Sequence, residues 1–475
     1  MLEADYDGCL AAAAGAALEW LDGLDRRPVG PAVDAAGMLA AVAGPLPERG
    51  DGAVVVVREL AALAPPGLMA TGSGRFHGWV IGGALPVAIA ADWLVSAWDQ
   101  NSAMAEPFPA TTMIEQVAGD WVLELLDLPR SASVGFVTGG QAANTVCLAA
   151  ARNGVLAAHG WDVERDGLQG APRVHVVAGA ERHDTIDVAL RALGLGGRTA
   201  RVAAADGAGR MEPRALEAIL ARLEGPVIVC AQAGNVNGGG VDPLDELADA
   251  VDARGRADTW LHVDGAFGLW GRAAPRRRAL LAGAERAHSW ATDAHKWLNT
   301  PYDCGMAICA DAGAHRRAMG VRAAYLPEGG DAALRDPVDV TPELSRRARG
   351  VPVWAAIRHL GREGVAELVE RCCAMADRYA ARLGAAPGAE VLGRCLNQVV
   401  VRFRDPAGRD DDAHTRRVLA QVQRGGECFP SGTVWRGAAG IRISVCNWRT
   451  DAADVDRGVA AMLAAHRAGA AVSPG

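Results

Sequence analysis

Apolar residues along this chain gather into short runs separated by stretches of helical period, most densely between residues 69 and about 345. VHVVA (174–178), PVIVC (226–230), WLHVD (260–264) and GMAIC (305–309) have strand length and are bounded by turn residues. Strands this apolar must be covered on both faces, so with helical segments between them they predict a mainly parallel sheet between two helical layers. Residues 1–68 alternate alanine-rich helical stretches with turn signals such as Arg27-Pro28 and Pro65-Pro66-Gly67. Residues 346–475 carry a long helical run from Pro352 to Leu383, strand-like NQVVVRF (397–403) and IRISV (441–445), and a final helix near 451–467. The expected architecture is therefore α/β: an N-terminal helical segment (1–68), a large domain (69–345) and a smaller C-terminal α+β domain (346–475). The polar stretch RDPAGRDDDAH (404–414) reads as a solvated loop.

Composition narrows the function. A chain of 475 residues, 50% apolar, suits one large subunit rather than a string of modules. Its net charge is −8 and its basic residues form no cluster beyond Arg276-Arg277-Arg278, which argues against nucleic acid as a partner. Ten scattered cysteines, with no CxxC and one adjacent pair at Cys372-Cys373, point to reduced thiols in a cytoplasmic protein, without a metal site. The most apolar window, Trp79 to Trp98, is interrupted by Gly82-Gly83, Pro86 and Asp92 and reads as core, not as a membrane span. The acidic start MLEADYDGCL argues against a secretory signal.

Candidate chemistry begins with a singular residue. Lys296 is the one lysine among 48 basic residues. Arginine supplies charge but stays protonated, whereas a lysine amine can lose its proton and form a Schiff base with an aldehyde. A last surface lysine left over by a GC-rich genome would look the same on composition. The neighbourhood separates the two readings, because Lys296 lies in DAHKWLN, 32 residues after Asp264 of HVDGAFG. Asp264 ends an apolar strand, where a carboxylate can keep a pyridine nitrogen protonated, or simply cap a helix. Ala266, two residues on, leaves room for a flat ring. Segment GFVTGGQAANTVCLAAAR runs from a strand ending at Val137 through Gly139, Gly140 and Gln141 into a helix. Glycines there admit a phosphate to backbone amides at a helix N-terminus, although many such turns only punctuate the chain. His183, in ERHDTIDVALRALGLG, precedes a helix and reads equally as a cap or core histidine.

In order along the chain stand FHGWVIGGALP, GG-x-x-AN, a histidine about forty residues later, AGNVNGGGVDPLDEL, HVDGAFG, DAHKWLN, ELSRRARGVPVW and IRISVCNW. Together they resemble the group II pyridoxal-phosphate-dependent decarboxylases, the family of aromatic-amino-acid and glutamate decarboxylases. The resemblance implies the aspartate aminotransferase fold (fold type I) with a seven-stranded sheet, and pyridoxal 5'-phosphate as cofactor. It implies that Lys296 holds the cofactor covalently, that Asp264 pairs with the ring nitrogen, and that His183 stacks on the ring opposite Ala266. Gly139, Gly140 and Gln141 would cradle the phosphate, with His295 close by and Asn235 beside the cofactor. Arg442 matches an arginine that binds a substrate carboxylate in the glutamate branch; a structural salt bridge in the small lobe is the other reading. Trp79 and Val80 match a substrate-pocket wall and suggest an apolar or aromatic side chain.

The family pattern includes a tyrosine on a mobile loop before the SRR motif that delivers a proton to Cα. Counted back from Ser345-Arg346-Arg347, that position falls at or near Pro337, and no tyrosine occurs between residues 326 and 378. The remaining donors there are Asp336, Asp339, Glu328 and Tyr325. The expected reaction is decarboxylation of an amino acid to an amine and CO2. A tyrosine-free loop leaves two alternatives on the same scaffold: aldehyde-forming oxidative deamination and carbon–carbon cleavage. The family also implies a homodimer, with the N-terminal segment packed across its partner.

Overall fold

The computed structural model describes residues 5–320 and 335–471. Its chain opens with three helices, α1 (Tyr6–Asp22), α2 (Ala35–Val42) and α3 (Ala53–Leu63), then a short strand β1 (Phe76–His77) and helices α4 (Pro86–Trp98) and α5 (Pro109–Leu125). Asp5 and Asp34 cap α1 and α2 by accepting from Gly8 N and Gly37 N, while prolines occupy the first turns of α4 and α5. None of α1, α2 or α3 buries a single residue in the protomer.

The large domain then alternates strand and helix: β2 (Ser133–Val137), α6 (Gly140–Ala158), α7 (Val163–Asp166), β3 (His175–Gly179), α8 (Asp184–Ala192), β4 (Arg201–Ala203), α9 (Pro213–Leu220), β5 (Val227–Gln232), α10 (Leu244–Arg254), β6 (Thr259–Asp264), β7 (Ser289–Asp293), β8 (Gly305–Cys309) and α11 (Ala312–Met319). Seven strands form one sheet in the order β2-β8-β7-β6-β5-β3-β4, parallel except for β8, which runs antiparallel to both neighbours. This is the mainly parallel seven-stranded sheet expected of fold type I. Its faces pack into separate cores: Val177, Val229 and Leu261 on one side, Val176, Ile228 and Trp260 on the other. Every residue of β5 and β6 is buried, as strands covered on both faces require.

The C-terminal part begins with α12 (Gly350–Gly384), broken at Gly361, whose φ of 61° lies outside the helical region. It continues through β9 (Ala389–Cys395), β10 (Gln398–Phe403), α13 (Asp411–Gly425), β11 (Phe429–Trp435), β12 (Ala438–Ser444) and α14 (Ala452–Ala471). The second sheet has the order β1-β11-β12-β10-β9. The polar stretch 404–414 expected to be loop turns helical from Asp411 onward, where Asp410 caps α13 by accepting from Ala413 N at 2.9 Å. A buried ion pair ties the start of α12 to the large domain: Arg346 donates to Glu115 at 2.5 and 3.1 Å and to the Phe136 carbonyl at 3.0 Å. The SRR motif is thus a structural clamp. All ten cysteines are free thiols. Among the described residues no helix is long and apolar enough to cross a membrane.

Candidate active site

Parallel strands deliver their C-terminal ends to one edge of the sheet, and ligands collect there. At that edge β6 ends on Asp264, β7 ends on Asp293 just before Lys296, and β2 leads into α6 through Thr138 and Gly139. The three meet on a cavity of about 710 Å3, also lined by Trp79, Val80, Gln141, His183, Ala266, His295 and Arg442. One space therefore holds nearly every site residue expected from the sequence.

Lys296 is only partly exposed, and its Nζ lies 3.1 Å from Asp293 Oδ2. The other Asp293 oxygen is buried without a hydrogen-bond partner. His295 Nε2 lies 3.7 Å from that oxygen, and burial pushes the imidazole below its ordinary value. The ring of Tyr302 stacks on His295 at 4.3 Å between centroids. Asp293, the first residue of DAHKWLN, ends its strand as Asp264 does, so the strand-end argument applies to it equally.

The glycine turn fits an anion. A Cβ on Gly140 would sit 2.8 Å from Asp293 Oδ2, and one on Gly305 would strike the Gly139 backbone at 2.5 Å, so both positions need glycine for close approach. Behind them α6 runs 19 residues with its N-terminus at the cavity, where free amides and the helix dipole favour a phosphate. Asp264 is 5% exposed; Oδ2 accepts from Asn144 Nδ2 at 3.1 Å and Oδ1 from Ala266 N at 3.2 Å. His183 caps α8 through Nδ1, which meets Thr185 N at 3.3 Å and Thr185 Oγ1 at 3.0 Å. The cap and the cavity roles coexist, since Nε2 and the ring faces remain free of that task.

Arg442 projects from β12 and is 8% exposed, yet among the described residues no carboxylate pairs with it. Its one protein hydrogen bond runs from Nε to Ser431 Oγ at 3.2 Å. Among the described residues the salt bridge of the other reading is not formed, and Arg442 lines the cavity. Trp79 is half exposed and packs near Phe76 and Phe429. Val80, buried beside it, has φ of 59°, a strained backbone for a β-branched residue and one that aims this wall into the site.

Three of the candidate residues stand off this cavity in the protomer. Asn235 is not on the cavity wall, which here consists of Gly234, Val236 and Asn237. Its Oδ1 accepts from Asn237 N at 2.7 Å and Gly238 N at 3.2 Å, so the side chain braces its own loop. Asp336 accepts from Ala105 N at 2.6 Å, and Asp339 pairs with Arg316 at 3.0 Å; neither lines the cavity. Glu328 and Tyr325 lie outside the described residues. Sequence reading also passed over Asn299, whose buried amide accepts from Gly83 N and Trp448 N and donates to the carbonyls of Trp297 and Cys446. That single side chain joins the GG, WLN and CNW segments.

A family model described as the pyridoxal-dependent decarboxylase conserved domain matches residues 40–404. An L-2,4-diaminobutyrate decarboxylase from Rhizobium meliloti (strain 1021) is 31% identical over 421 residues, covering 86% of this chain and 80% of that protein. The chain belongs to the pyridoxal-dependent decarboxylase family. Among its relatives is a 4-hydroxyphenylacetaldehyde synthase from Rhodiola rosea, 26% identical over 91% of this chain and 89% of that one. The crystal structure of Oryza sativa TDC with PLP and tryptamine superposes with a TM-score of 0.90 over 98% of this chain and 99% of that chain; at 24% identity it shows the shared fold. This decarboxylase uses pyridoxal 5'-phosphate, and its cavity fits the group. A sole lysine, a strand-end carboxylate and a glycine turn at a helix N-terminus stand where an aldehyde, a pyridine nitrogen and a phosphate would each need them.

Proposed function

We propose that this decarboxylase acts on an L-amino acid and releases the corresponding amine and CO2. The observation that carries the reading is the convergence of Lys296, Asp264 and the N-terminus of α6 on one cavity that Arg442, without a carboxylate partner among the described residues, also lines. Bound there, pyridoxal phosphate supplies an electron sink for the pair left at Cα when the carboxylate departs. Lys296 holds the cofactor, Asp264 keeps its ring nitrogen protonated, and His183 covers the ring face opposite Ala266. Gly139, Gly140 and Gln141 bind the phosphate, beside His295. Arg442 takes the substrate carboxylate in a charge-assisted pair, while Trp79, Val80, Phe267 and Val434 contact the side chain.

A second reading has its own support. Among the described residues lining the cavity there is no tyrosine to protonate Cα, and one relative is an aldehyde synthase. That outcome would consume one dioxygen and one water and release ammonia and hydrogen peroxide with the aldehyde and CO2. Incubating the holoenzyme with a panel of amino acids and measuring CO2, amine, aldehyde, ammonia and peroxide separates the two. Amine in step with CO2 supports simple decarboxylation; aldehyde and peroxide in its place support the second reading, and no CO2 from any amino acid refutes both.

The working unit is a homodimer. Helices α1, α2 and α3 leave Tyr6, Leu10, Leu18 and Leu39 more than half exposed, an apolar surface that a partner copy would cover.

A further inference from the structure

We propose that Asn144 is a positioning residue of the cofactor site, the junction of a one-way hydrogen-bond relay that starts at Trp260 and ends on Asp264, with a side arm to His183. The inference rests on the assignment of Asp264 to the ring nitrogen. Trp260 Nε1 donates to Ser289 Oγ at 2.8 Å, Ser289 Oγ meets His262 Nδ1 at 2.9 Å, and His262 Nε2 meets Asn144 Oδ1 at 2.9 Å. Asn144 Nδ2 completes the line on Asp264 Oδ2 at 3.1 Å.

The carboxylate end of the relay sets its direction. An indole N–H only donates, so Ser289 accepts from Trp260. A carboxylate only accepts, so Asn144 turns its amide nitrogen to Asp264 and its carbonyl to His262. The His262 proton therefore sits on Nε2, which leaves Nδ1 to accept the Ser289 hydroxyl hydrogen. Every donor points toward Asp264, and aligned hydrogen bonds in a dry interior polarise one another.

Placement explains why the relay exists. Trp260, His262 and Asp264 are alternate residues of β6 and share one face of the sheet, turned to α6. Asn144 lies in the second turn of α6, the helix whose N-terminus forms the phosphate cradle. It is 1% exposed and His262 and Ser289 are 0% exposed, so water cannot replace a broken link. Asn144 Nδ2 also reaches Thr185 Oγ1 at 3.2 Å, and that hydroxyl meets His183 Nδ1 at 3.0 Å. One amide thus orients both the carboxylate at the ring edge and the imidazole at the ring face before any ligand arrives.

The test uses full-length protein reconstituted with pyridoxal phosphate, and the variants Asn144→Ala, Asn144→Asp, His262→Phe, Ser289→Ala and Trp260→Phe, with Asp264→Asn as reference. Cofactor dissociation constant, kcat, KM and thermal unfolding of the apoprotein are read for each. Asn144→Ala is expected to weaken cofactor binding and lower kcat by about 10–100-fold, the range for outer-shell partners, with KM changed less than about threefold. Asn144→Asp has the same size but no amide donor and is expected to lose as much. The remaining effects should fall in the order His262, Ser289, Trp260, following distance along the relay rather than side-chain volume. Parental cofactor affinity in both Asn144 variants, or losses that merely track apoprotein stability across the series, would overturn the relay. Should Asp264→Asn itself leave affinity and kcat unchanged, the ring-nitrogen assignment fails first and the relay with it; a strong Asp264 effect with silent relay variants overturns the relay alone.

Discussion

Arg442→Met separates a binding role from a structural one because the two move opposite observables. Arg442 is 8% exposed, makes one protein hydrogen bond, and faces no carboxylate among the described residues; burial pushes its guanidinium below its ordinary value. Replacing a buried charge that has no partner by an apolar side chain of similar length removes a desolvation cost. Apoprotein stability should stay within about 1 kcal/mol of the parent or rise above it. The substrate, by contrast, loses a charge-assisted pair with its carboxylate, worth roughly 1.5–3 kcal/mol, which is about 10- to 150-fold in affinity. If the paired carboxylate is the one that departs, its charge disperses as the carbon–carbon bond breaks, so the loss falls mainly on KM and less on kcat. Unfolding of the apoprotein and steady-state kinetics on the same preparation measure both quantities. Arg442→Lys keeps the charge but not the planar fork and should fall between the two. A variant destabilised by about 3–5 kcal/mol with an unchanged KM would refute the reasoning, because that is the mark of a broken internal ion pair.

Other consequences are equally open to measurement. Glu115→Ala leaves Arg346 as an uncompensated buried cation and removes the acceptor for Gly350 N, so denaturant unfolding should show a loss of about 3–5 kcal/mol. Asn299→Ala strands two buried amides and two carbonyls; a loss of roughly 2–4 kcal/mol is expected, with a lower cofactor occupancy by absorbance. Burial lowers His77 to about 3 and both His288 and His315 to about 4, so below the unfolded value near 6.5 the unfolded chain binds more protons than the folded one. Stability should therefore drop as pH falls from about 6.5 to 4.5, by up to about 1.4 kcal/mol per pH unit for each histidine, while Asp242, raised to about 6 by burial, offsets one of the three. Stability that rises over that interval in pH-dependent unfolding would contradict this. Deleting residues 1–63 should yield a monomer in sedimentation, whereas a dimer of unchanged affinity would show that α1, α2 and α3 cover some other surface.

Much of the large sheet was legible because β3, β5, β6 and β8 are largely buried on both faces and therefore mainly apolar. The strand that presents Lys296 was not. Its sequence, SWATD, looks like loop, yet all its residues are buried: Ser289 meets His262 and Trp260, and the carbonyl of Asp293 accepts from Trp270 Nε1 at 2.9 Å. Polar residues in a buried strand are explained by partners remote in sequence, which periodicity does not reveal. Strands β9 and β11 escaped notice for a different reason, since both are partly exposed and lack a continuous apolar run. The site followed the same logic. Lys296 stood out through uniqueness, and Asp264 and the glycine turn through their place at strand ends. Asn144 and Asn299 are ordinary amides until the fold brings residues 120 and 216 positions away to them. Asn235 shows the converse: a motif position whose side chain the loop itself occupies.

The central claim is that Lys296 forms the covalent link to pyridoxal phosphate. Reducing the holoenzyme with borohydride, digesting it and mapping the modified peptide tests this directly, because the chain contains no other lysine. The account predicts a single stable adduct on the peptide containing DAHKWLN, lost in Lys296→Ala. A reduced protein carrying no cofactor at that residue, or a Lys296→Ala protein that still turns over substrate at the parental rate, would contradict it.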